Sequence, residues 1–159
     1  MYTVAEVLRE KGSSVLTIGP DATVLDAAHM MNEARVGSLI VATGEARDGE
    51  LEACIRGPAV SGLAGILTER DLLMRVLAAE RDPKATRVSQ VMTSRVLTCQ
   101  PTTPLEEIRN VMRDERIRHM PVLDGGWIVG MLSIGDLNIA ETVTLTHTIE
   151  TLEAYIAGG

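Results

Sequence analysis

The chain has 159 residues, a hydrophobic content of 45%, a charged content of 23% and a net charge of −7. This composition suits a globular protein with one core or two small lobes, and no apolar run approaches the roughly 20 residues of a membrane span. The excess of 22 acidic over 15 basic side chains argues against a nucleic-acid partner, and a chain without Phe lacks a platform for stacking successive bases.

The first residues show no basic segment followed by an apolar one, so no secretory signal is visible and we expect a cytoplasmic location. Cys54 and Cys99 are isolated, without the spacing of a metal or redox site, as expected in a reducing compartment.

An internal repeat organises the sequence. Residues 15–41 match residues 96–122, beginning with VLTIGP in the first copy and VLTCQP in the second. The match resumes at residues 65–72 and 130–137. Such self-similarity indicates a tandem pair, which we divide into a first repeat at 1–80 and a second repeat at 81–159.

The first repeat opens with a short apolar segment and a strand at 15–17. An amphipathic helix is then predicted from apolar side chains at helical spacing: Val24, Ala27, Ala28 and Met31. Strands follow at 38–41 and 62–67, and a helix runs from Asp71 to about Ala79. We interpret the Gly-rich and acid-rich residues 42–61 between these strands as a surface insertion.

The second repeat predicts the same order of elements. Its first helix has the apolar face Leu105, Ile108, Val111 and Met112. Thr103 is the predicted N-cap, with Pro104 at the first helical position and Glu106 three residues after the cap. Strands at 120–123 and 127–132 enclose a short hairpin turn at 124–126, and a helix runs from Asp136 to about Tyr155. The fold class is therefore α+β, with two β-α-β-β-α units related by a pseudo-twofold axis.

One sequence motif, present in both repeats, contains the candidate ligand-binding residues. Thr68 and Asp71, like Ser133 and Asp136, place a hydroxyl and a carboxylate three residues apart at a strand-to-helix junction. One interpretation is a capping box, in which both groups satisfy the backbone of the helix start. The other is a nucleotide site, because a helix N-terminus attracts phosphate and a carboxylate accepts hydrogen bonds from a ribose diol.

The duplicated sequence motifs resemble those of a tandem pair of cystathionine-β-synthase-type (CBS) domains, also called a Bateman module. They are VGSLIV with GILTERD in the first repeat and IRHMPV with GMLSIGD in the second, and the resemblance covers roughly residues 3–140. It implies a sensor that holds AMP, ADP, ATP, NAD(H) or S-adenosylmethionine in the cleft between the repeats. The C-terminal part is similar to that of stand-alone bacterial members.

The resemblance also implies two sites, each shared between the repeats. In the first, Asp71 takes a ribose diol and Thr68 faces ribose or phosphate, with help from Thr98, Ile117, Arg118 and His119. In the second, Asp136 and Ser133 have these roles, with help from Thr17, Val36, Gly37 and Ser38. Arg70 adds a positive charge beside Asp71, where the second repeat has Gly135. Because Arg118 and His119 can meet phosphate, we expect the Asp71 site to bind AMP more tightly.

The C-terminal stretch spaces apolar residues for contact with another helix: Leu145, Ile149, Leu152 and Ile156. Two alternatives remain open here, a helix that docks on the protein's own core and a seam between two copies of the chain. His29 is interpreted as a boundary or surface residue, and His147 has no second metal ligand at helical spacing.

Taken with these residues, the resemblance therefore implies a non-catalytic, homodimeric sensor of adenine nucleotides that acts on a protein effector without a catalytic cofactor. A nucleotide hydrolase is the first rival, although Asp71 and Asp136 lie in separate repeats without neighbouring acids in sequence. An interaction scaffold without ligand, in which the Thr/Ser–Asp pairs are only caps, is the second. A sensor of S-adenosylmethionine is a further alternative.

Overall fold

The computed structural model describes residues 2–12, 15–47, 50–51, 55–56 and 59–158. The helices are α1 (Val4–Lys11), α2 (Val24–Ala34), α3 (Glu69–Asp71), α4 (Val88–Val91), α5 (Leu105–Glu115) and α6 (Ile134–Ala157), with a π-helical segment (Leu72–Leu77) continuing α3. The strands are β1 (Thr17–Ile18), β2 (Ser38–Ala42), β3 (Ala46–Arg47), β4 (Glu50–Leu51), β5 (Ile55–Arg56), β6 (Ala59–Val60), β7 (Leu63–Thr68), β8 (His119–Asp124) and β9 (Trp127–Ser133). Cys54 lies outside the described residues.

Two small sheets form the centre of the fold. The first has the order β1-β2-β7, with β1 parallel and β7 antiparallel to β2. The second has the order β3-β6-β9-β8, and β4 pairs with β5 in a separate ribbon. A single bridge between Cys99 and Val122 stands where the second repeat was expected to form its first strand. The predicted α+β class and the hairpin joining β8 to β9 are confirmed.

The insertion does more than cover the surface. Its last strand, β6, pairs with β9 of the second repeat through Val60 and Ile128. Ala59 and Val60 are buried, with 1% and 7% of their surface exposed. The interpretation of residues 42–61 as a surface excursion is therefore wrong for this strand, because the strand extends the second sheet and its apolar side chains are buried. Residues 48–49, 52–54 and 57–58 lie outside the described part of the chain.

The predicted start of α5 is wrong by one residue. The helix begins at Leu105, Pro104 is its N-cap, and no side chain caps it. Thr103 instead accepts a hydrogen bond at its Oγ1 from the backbone N–H of Gln100, at 3.1 Å. The N–H of Leu105 donates to the carbonyl of Tyr2, so the segment before α1 satisfies a helix end that a side chain would otherwise cap.

The two repeats exchange their leading helices. Val4, Val7 and Leu8 of α1 are buried in the core of the second repeat, although α1 comes first in the chain. Val88 and Val91 of α4 are buried in the core of the first repeat. Helix α1 of the first repeat therefore lies near the strand-to-helix junction of the second repeat. Helix α4 of the second repeat lies near the junction of the first.

Glycine permits the close approach of α1 to the second sheet. A Cβ added at Gly130 of β9 would lie 2.7 Å from a methyl carbon of Leu8. A third apolar cluster, made of Ile40, Val60 and Ile128, joins the two sheets. The two repeats thus share a continuous interior rather than standing as separate lobes.

Helix α6 docks on the core only through its first turns. Leu137 and Ala140 are buried, whereas every residue from 141 to 157 is exposed. The alternative of a helix docked along its length on its own core therefore does not hold.

Candidate functional site

The two strand-to-helix junctions form capping boxes of the same geometry. Thr68 Oγ1 accepts from the N–H of Asp71 at 3.2 Å, and Asp71 Oδ2 accepts from the N–H of Thr68 at 3.0 Å. In the second repeat, the corresponding distances between Ser133 and Asp136 are 3.2 and 2.8 Å. The capping interpretation is confirmed, and it leaves open whether either carboxylate also binds a ligand.

Asp71 is enclosed by groups from two further segments. Its side chain is 9% exposed, and Thr93, which follows α4, donates its hydroxyl to Asp71 Oδ1 at 3.2 Å. Arg75 Nη1 lies 3.8 Å from the same oxygen and donates to the carbonyls of Val91 and Met92, both at 3.0 Å. Because α4 packs on the first repeat, the end of this short helix is fixed against Asp71.

Asp136 has a different partner. Lys11, the last residue of α1, donates its Nζ to Asp136 Oδ2 at 2.7 Å and to the carbonyl of Met131 at 2.7 Å. The Asp136 side chain is 16% exposed, and that of Lys11 is 34% exposed. The two junctions therefore have the same caps, but one carboxylate faces a neutral hydroxyl and the other an ammonium group.

A cavity of about 140 Å³ lies between the repeats, and Asp71 is linked to it through Thr93 rather than lining it directly. Thr93, which is hydrogen-bonded to Asp71, lines it together with Ile66 of the first repeat. Ile117 and His119 of the second repeat form part of the opposite wall. The structure thus brings Asp71, through Thr93, to the same cleft as two of the residues that were predicted to share its site.

His119 lies in a charged and partly buried environment. Burial lowers its pKa below 6.5, because the charged imidazolium would lose hydration. The carboxylates of Glu69 and Asp136 oppose this change, whereas Lys11 and Arg118 add to it. Charged groups from both repeats therefore converge around this side chain.

The other residues predicted for the Asp71 site lie further out. Arg70 and Arg118 are exposed, and the carbonyl of Arg118 accepts from the N–H of Ile134. Thr98 lines a separate cavity of about 690 Å³ on the second repeat, together with Cys99 and Glu107. Leu97 lines both cavities, so the two openings are neighbours on the surface.

The residues predicted to assist Asp136 lie around the junction of the first repeat. Thr17 pairs with Ile40, and Ser38 pairs with Thr68 across β2 and β7. Gly37, which follows Val36, accepts at its carbonyl from the N–H of Glu69. Within the described ranges, no hydrogen bond joins any of these residues to Asp136 or Ser133, and the carboxylate is held by Lys11 instead.

Sequence reasoning missed three contributors to the cleft, namely Lys11, Thr93 and Glu69. A signal for the first two exists in the repeat, since VAEVLREK at 4–11 corresponds to VSQVMTSR at 88–95, with Lys11 opposite Arg95 and Thr93 opposite Arg9. The pattern did not show that each segment packs on the other repeat. Glu69 lies over Gly37, where an added Cβ would be 3.4 Å from its carboxyl carbon.

Neither a metal centre nor a membrane span is found in the part of the chain that the structure describes. There, no group of three or more His, Cys, Asp or Glu side chains is arranged to hold a metal ion. None of the described helices combines the length and apolar character needed to cross a bilayer. His29 and His147 are exposed.

Comparison with known proteins identifies the family to which this pair of repeats belongs. The model of the CBS domain family matches residues 4–52 and 88–151. The chain belongs to the CBS-domain family. Proteins of this family are regulatory modules, and the tandem arrangement predicted from the repeat is confirmed.

Relatives of the CBS chain include the mitochondrial CBS domain-containing protein CBSX3 of Arabidopsis thaliana, which is 36% identical over 99% of this chain and 73% of its own length. Among solved structures, a CBS-domain protein from Burkholderia ambifaria is 36% identical, with a TM-score of 0.74 over 87% of this chain and 93% of its own. A CBS domain protein from Pyrobaculum aerophilum, solved in complex with AMP, is 25% identical, with a TM-score of 0.66 over 85% and 89% of the two chains.

Proposed function

We propose that this chain is a non-catalytic sensor of adenine nucleotides that acts on a protein effector. A nucleotide binds in the cleft between the repeats, with its ribose diol on Asp71. One observation carries the proposal: Thr93 donates to the Asp71 carboxylate and also lines the cavity that Ile66 of the first repeat and Ile117 and His119 of the second enclose. The AMP complex of the Pyrobaculum relative supports the choice of ligand class.

The chemistry of the Asp71 site suits a ribose. An ionised carboxylate only accepts hydrogen bonds, and the 2′- and 3′-hydroxyls of ribose supply two donors. Thr93 now donates one neutral hydrogen bond to this carboxylate, which a ribose hydroxyl can replace with little change in energy. Ile66 and Ile117 offer aliphatic surface to the adenine, in keeping with a chain that has few aromatic residues.

Positive groups near the cleft suit a phosphate. Arg95 lines the cavity, and Arg70 stands at the start of α3, next to Asp71. Arg118 lies close enough to affect the pKa of His119, which lines the same cavity. We propose AMP as the preferred nucleotide, with ATP, NAD(H) and S-adenosylmethionine as competitors to be compared directly.

The size of the cavity suggests how binding becomes a signal. A volume of about 140 Å³ is below the roughly 300 Å³ at which ligand pockets begin. We therefore propose that a nucleotide separates the repeats as it enters. Because the ligand binds the opened shape better than the closed one, it shifts the balance between them, and the changed surface is what an effector protein reads.

The remaining predicted residues keep secondary roles in this proposal. Thr68 supports Asp71 through the cap, and Thr98 lies at the neighbouring opening. A second site at Asp136 and Ser133, with Thr17, Val36, Gly37 and Ser38, stays a prediction, as does the cytoplasmic location.

The direct test measures the hydrogen bond between ribose and Asp71. AMP and 2′-deoxy-AMP are titrated calorimetrically into the wild type and Asp71→Asn, which keeps the cap but removes the charge. In the wild type, loss of the 2′-hydroxyl should cost roughly 1.5 to 3 kcal/mol, or about 10- to 150-fold in affinity. In Asp71→Asn, AMP should bind more weakly and the two ligands should differ much less.

A ligand-free scaffold is the alternative that one observation favours, since caps and Thr93 already satisfy the Asp71 carboxylate. Absence of binding by AMP, ATP, NADH and S-adenosylmethionine at millimolar concentration would establish it in place of the sensor. Formation of product during such incubations would instead support the hydrolase.

We also propose that two copies of the chain pair as a homodimer. Apolar side chains are exposed on the helical segments that follow both junctions, at 55% for Leu73, 56% for Met74 and 65% for Ile139. The outer part of α6 exposes a further row: Leu145, Ile149, Leu152 and Ile156. Faces this apolar are typical of surfaces that pair with a second copy.

Light scattering tests this pairing. Met74→Glu together with Ile139→Glu should yield monomers with unchanged circular dichroism, because both side chains are exposed in the single chain. Truncation after Ala140 separates the two surfaces. A truncated chain that still has the mass of a dimer would show that the outer part of α6 is unnecessary.

A further inference from the structure

The two carboxylates of the repeat are neutralised to different extents within the chain. Lys11 places its ammonium group 2.7 Å from Asp136 Oδ2, and the carbonyl of Met131 fixes it from the other side at 2.7 Å. Asp71 instead receives a hydrogen bond from the neutral hydroxyl of Thr93, and the nearest positive group, the guanidinium of Arg75, lies 3.8 Å away. This difference arises because α1 packs on the second repeat and α4 on the first.

The acceptor capacity of Asp136 is taken up on the oxygen that Lys11 contacts. Asp136 Oδ2 accepts from the N–H of Ser133 at 2.8 Å, from its Oγ at 3.0 Å and from Lys11 at 2.7 Å. Three donors saturate one carboxylate oxygen. A ribose diol that binds both oxygens must therefore displace the ammonium group, and a charge-assisted hydrogen bond is about twice as strong as a neutral one.

Asp71 presents a lower barrier to the same ligand. Thr93 has a single proton, which it shares between Oδ1 at 3.2 Å and Oδ2 at 3.4 Å. Arg75 Nη1 lies 3.8 Å from Asp71 Oδ1 and donates hydrogen bonds to the backbone carbonyls of Val91 and Met92. Rotation of the Thr93 hydroxyl is enough to free Oδ1, while Oδ2 keeps its two cap donors from Thr68, at 3.0 and 3.1 Å.

We infer that Lys11 limits the chain to one nucleotide, by closing the Asp136 site to a ribose diol while the Asp71 site stays open. The inference rests on the proposed function and adds a specificity-determining residue from outside both strand-to-helix junctions. A side chain from α1 thus sets the number of ligands that the sensor reads.

The stoichiometry of AMP binding tests this role. Lys11→Met keeps the aliphatic stem and the helix but removes the charge, and Lys11→Arg keeps the charge. Lys84→Met is the matched control, because Lys84 is exposed and lies at the start of the second repeat, before α4. Calorimetry should give one AMP per chain for the wild type, Lys11→Arg and Lys84→Met, and two for Lys11→Met.

Location of the added ligand completes the test. In Lys11→Met, an Asp136→Asn substitution should return the stoichiometry to one, and an Asp71→Asn substitution should leave the new site. Circular dichroism and the melting temperature establish that each variant is folded.

The other outcomes separate this inference from the proposed function. Two AMP per wild-type chain, or one in both the wild type and Lys11→Met, would overturn the role of Lys11 and leave the sensor intact. Loss of binding in Lys11→Met would make Lys11 a ligand group rather than a block. Binding in Lys11→Met alone would support the block and overturn the Asp71 site, whereas silence in every variant would overturn both proposals.

Discussion

At the scale of single residues, His119 links the stability of the protein to pH. Its pKa is lowered by burial, so between that value and about 6.5 the unfolded chain binds a proton that the folded chain does not. The folded state gains nothing from this group above pH 6.5 and loses stability as the pH falls below it.

We therefore expect the free energy of unfolding to fall between pH 7.5 and 5.5, by at most about 1.4 kcal/mol for each pH unit below 6.5 from this group. In His119→Gln that fall should be smaller, since glutamine does not titrate. Urea unfolding at both pH values measures the difference. His29→Gln is the control because His29 is exposed; equal pH dependence in all three proteins would contradict the assignment.

The residue scale also shows where sequence reasoning stops. The spacing of Thr68 and Asp71 predicted a capping box, because cap geometry depends on neighbours within one turn. Lys11 could not be assigned to Asp136 in the same way, since the pair is separated by 125 positions and forms only after α1 packs on the second repeat. The caps were local properties, whereas the charge around them was a property of the packed fold.

At the scale of elements, the cap of α6 is a clear point to test. Ser133 Oγ accepts from the N–H of Asp136 at 3.2 Å and joins β9 to the helix. Ser133→Ala should lower the free energy of unfolding by about 1 kcal/mol, as loss of an N-cap does. The midpoint of urea unfolding measures this cost.

A substitution further along α6 provides the matched comparison. Thr146 is exposed, and its hydroxyl only donates back to the carbonyl of Thr142 within the helix. Thr146→Ala should be neutral or slightly stabilising, since alanine has the higher helix propensity. Equal losses from Thr146→Ala and Ser133→Ala would show that the cap has no special role.

The insertion provides the second prediction at this scale. Val60 of β6 is 7% exposed and packs with Ile40 and Ile128 where the two sheets meet. Val60→Ala should cost on the order of 2 kcal/mol in the free energy of unfolding, because it leaves a gap in a shared core.

The control for Val60 comes from the same insertion. Glu45 is exposed, so Glu45→Ala should change the free energy of unfolding by no more than about 0.5 kcal/mol. Chemical denaturation of both variants makes the comparison, and a loss from Val60→Ala no larger than that from Glu45→Ala would restore the surface excursion that the sequence predicted.

The elements differ in how far the sequence could predict them. Apolar periodicity predicted α2, β2, β8 and β9 closely, because each is long enough to show its pattern. Strand β6 has two residues, and its place in the second sheet depends on pairing with Ile128 rather than on any local signal. The start of α5 was missed for a similar reason, since the carbonyl of Tyr2 satisfies the helix end.

At the scale of the whole molecule, the exchange of α1 and α4 makes the two repeats depend on each other. Each junction is completed by a side chain from the other repeat. Thr93, which follows α4, donates to Asp71, and Lys11, which ends α1, donates to Asp136. A ligand that separates the repeats at one junction therefore acts on an interior that both share. This arrangement suits a regulatory module.

The position of AMP in a crystal structure of its complex with the wild-type chain tests this account most directly. The account predicts the ribose 2′- and 3′-hydroxyls within hydrogen-bond distance of Asp71, adenine against Ile117, Thr93 turned away from the carboxylate and Lys11 still on Asp136. A nucleotide seated on Asp136 with Lys11 displaced, or one in the cavity beside Thr98 with Asp71 untouched, would contradict it.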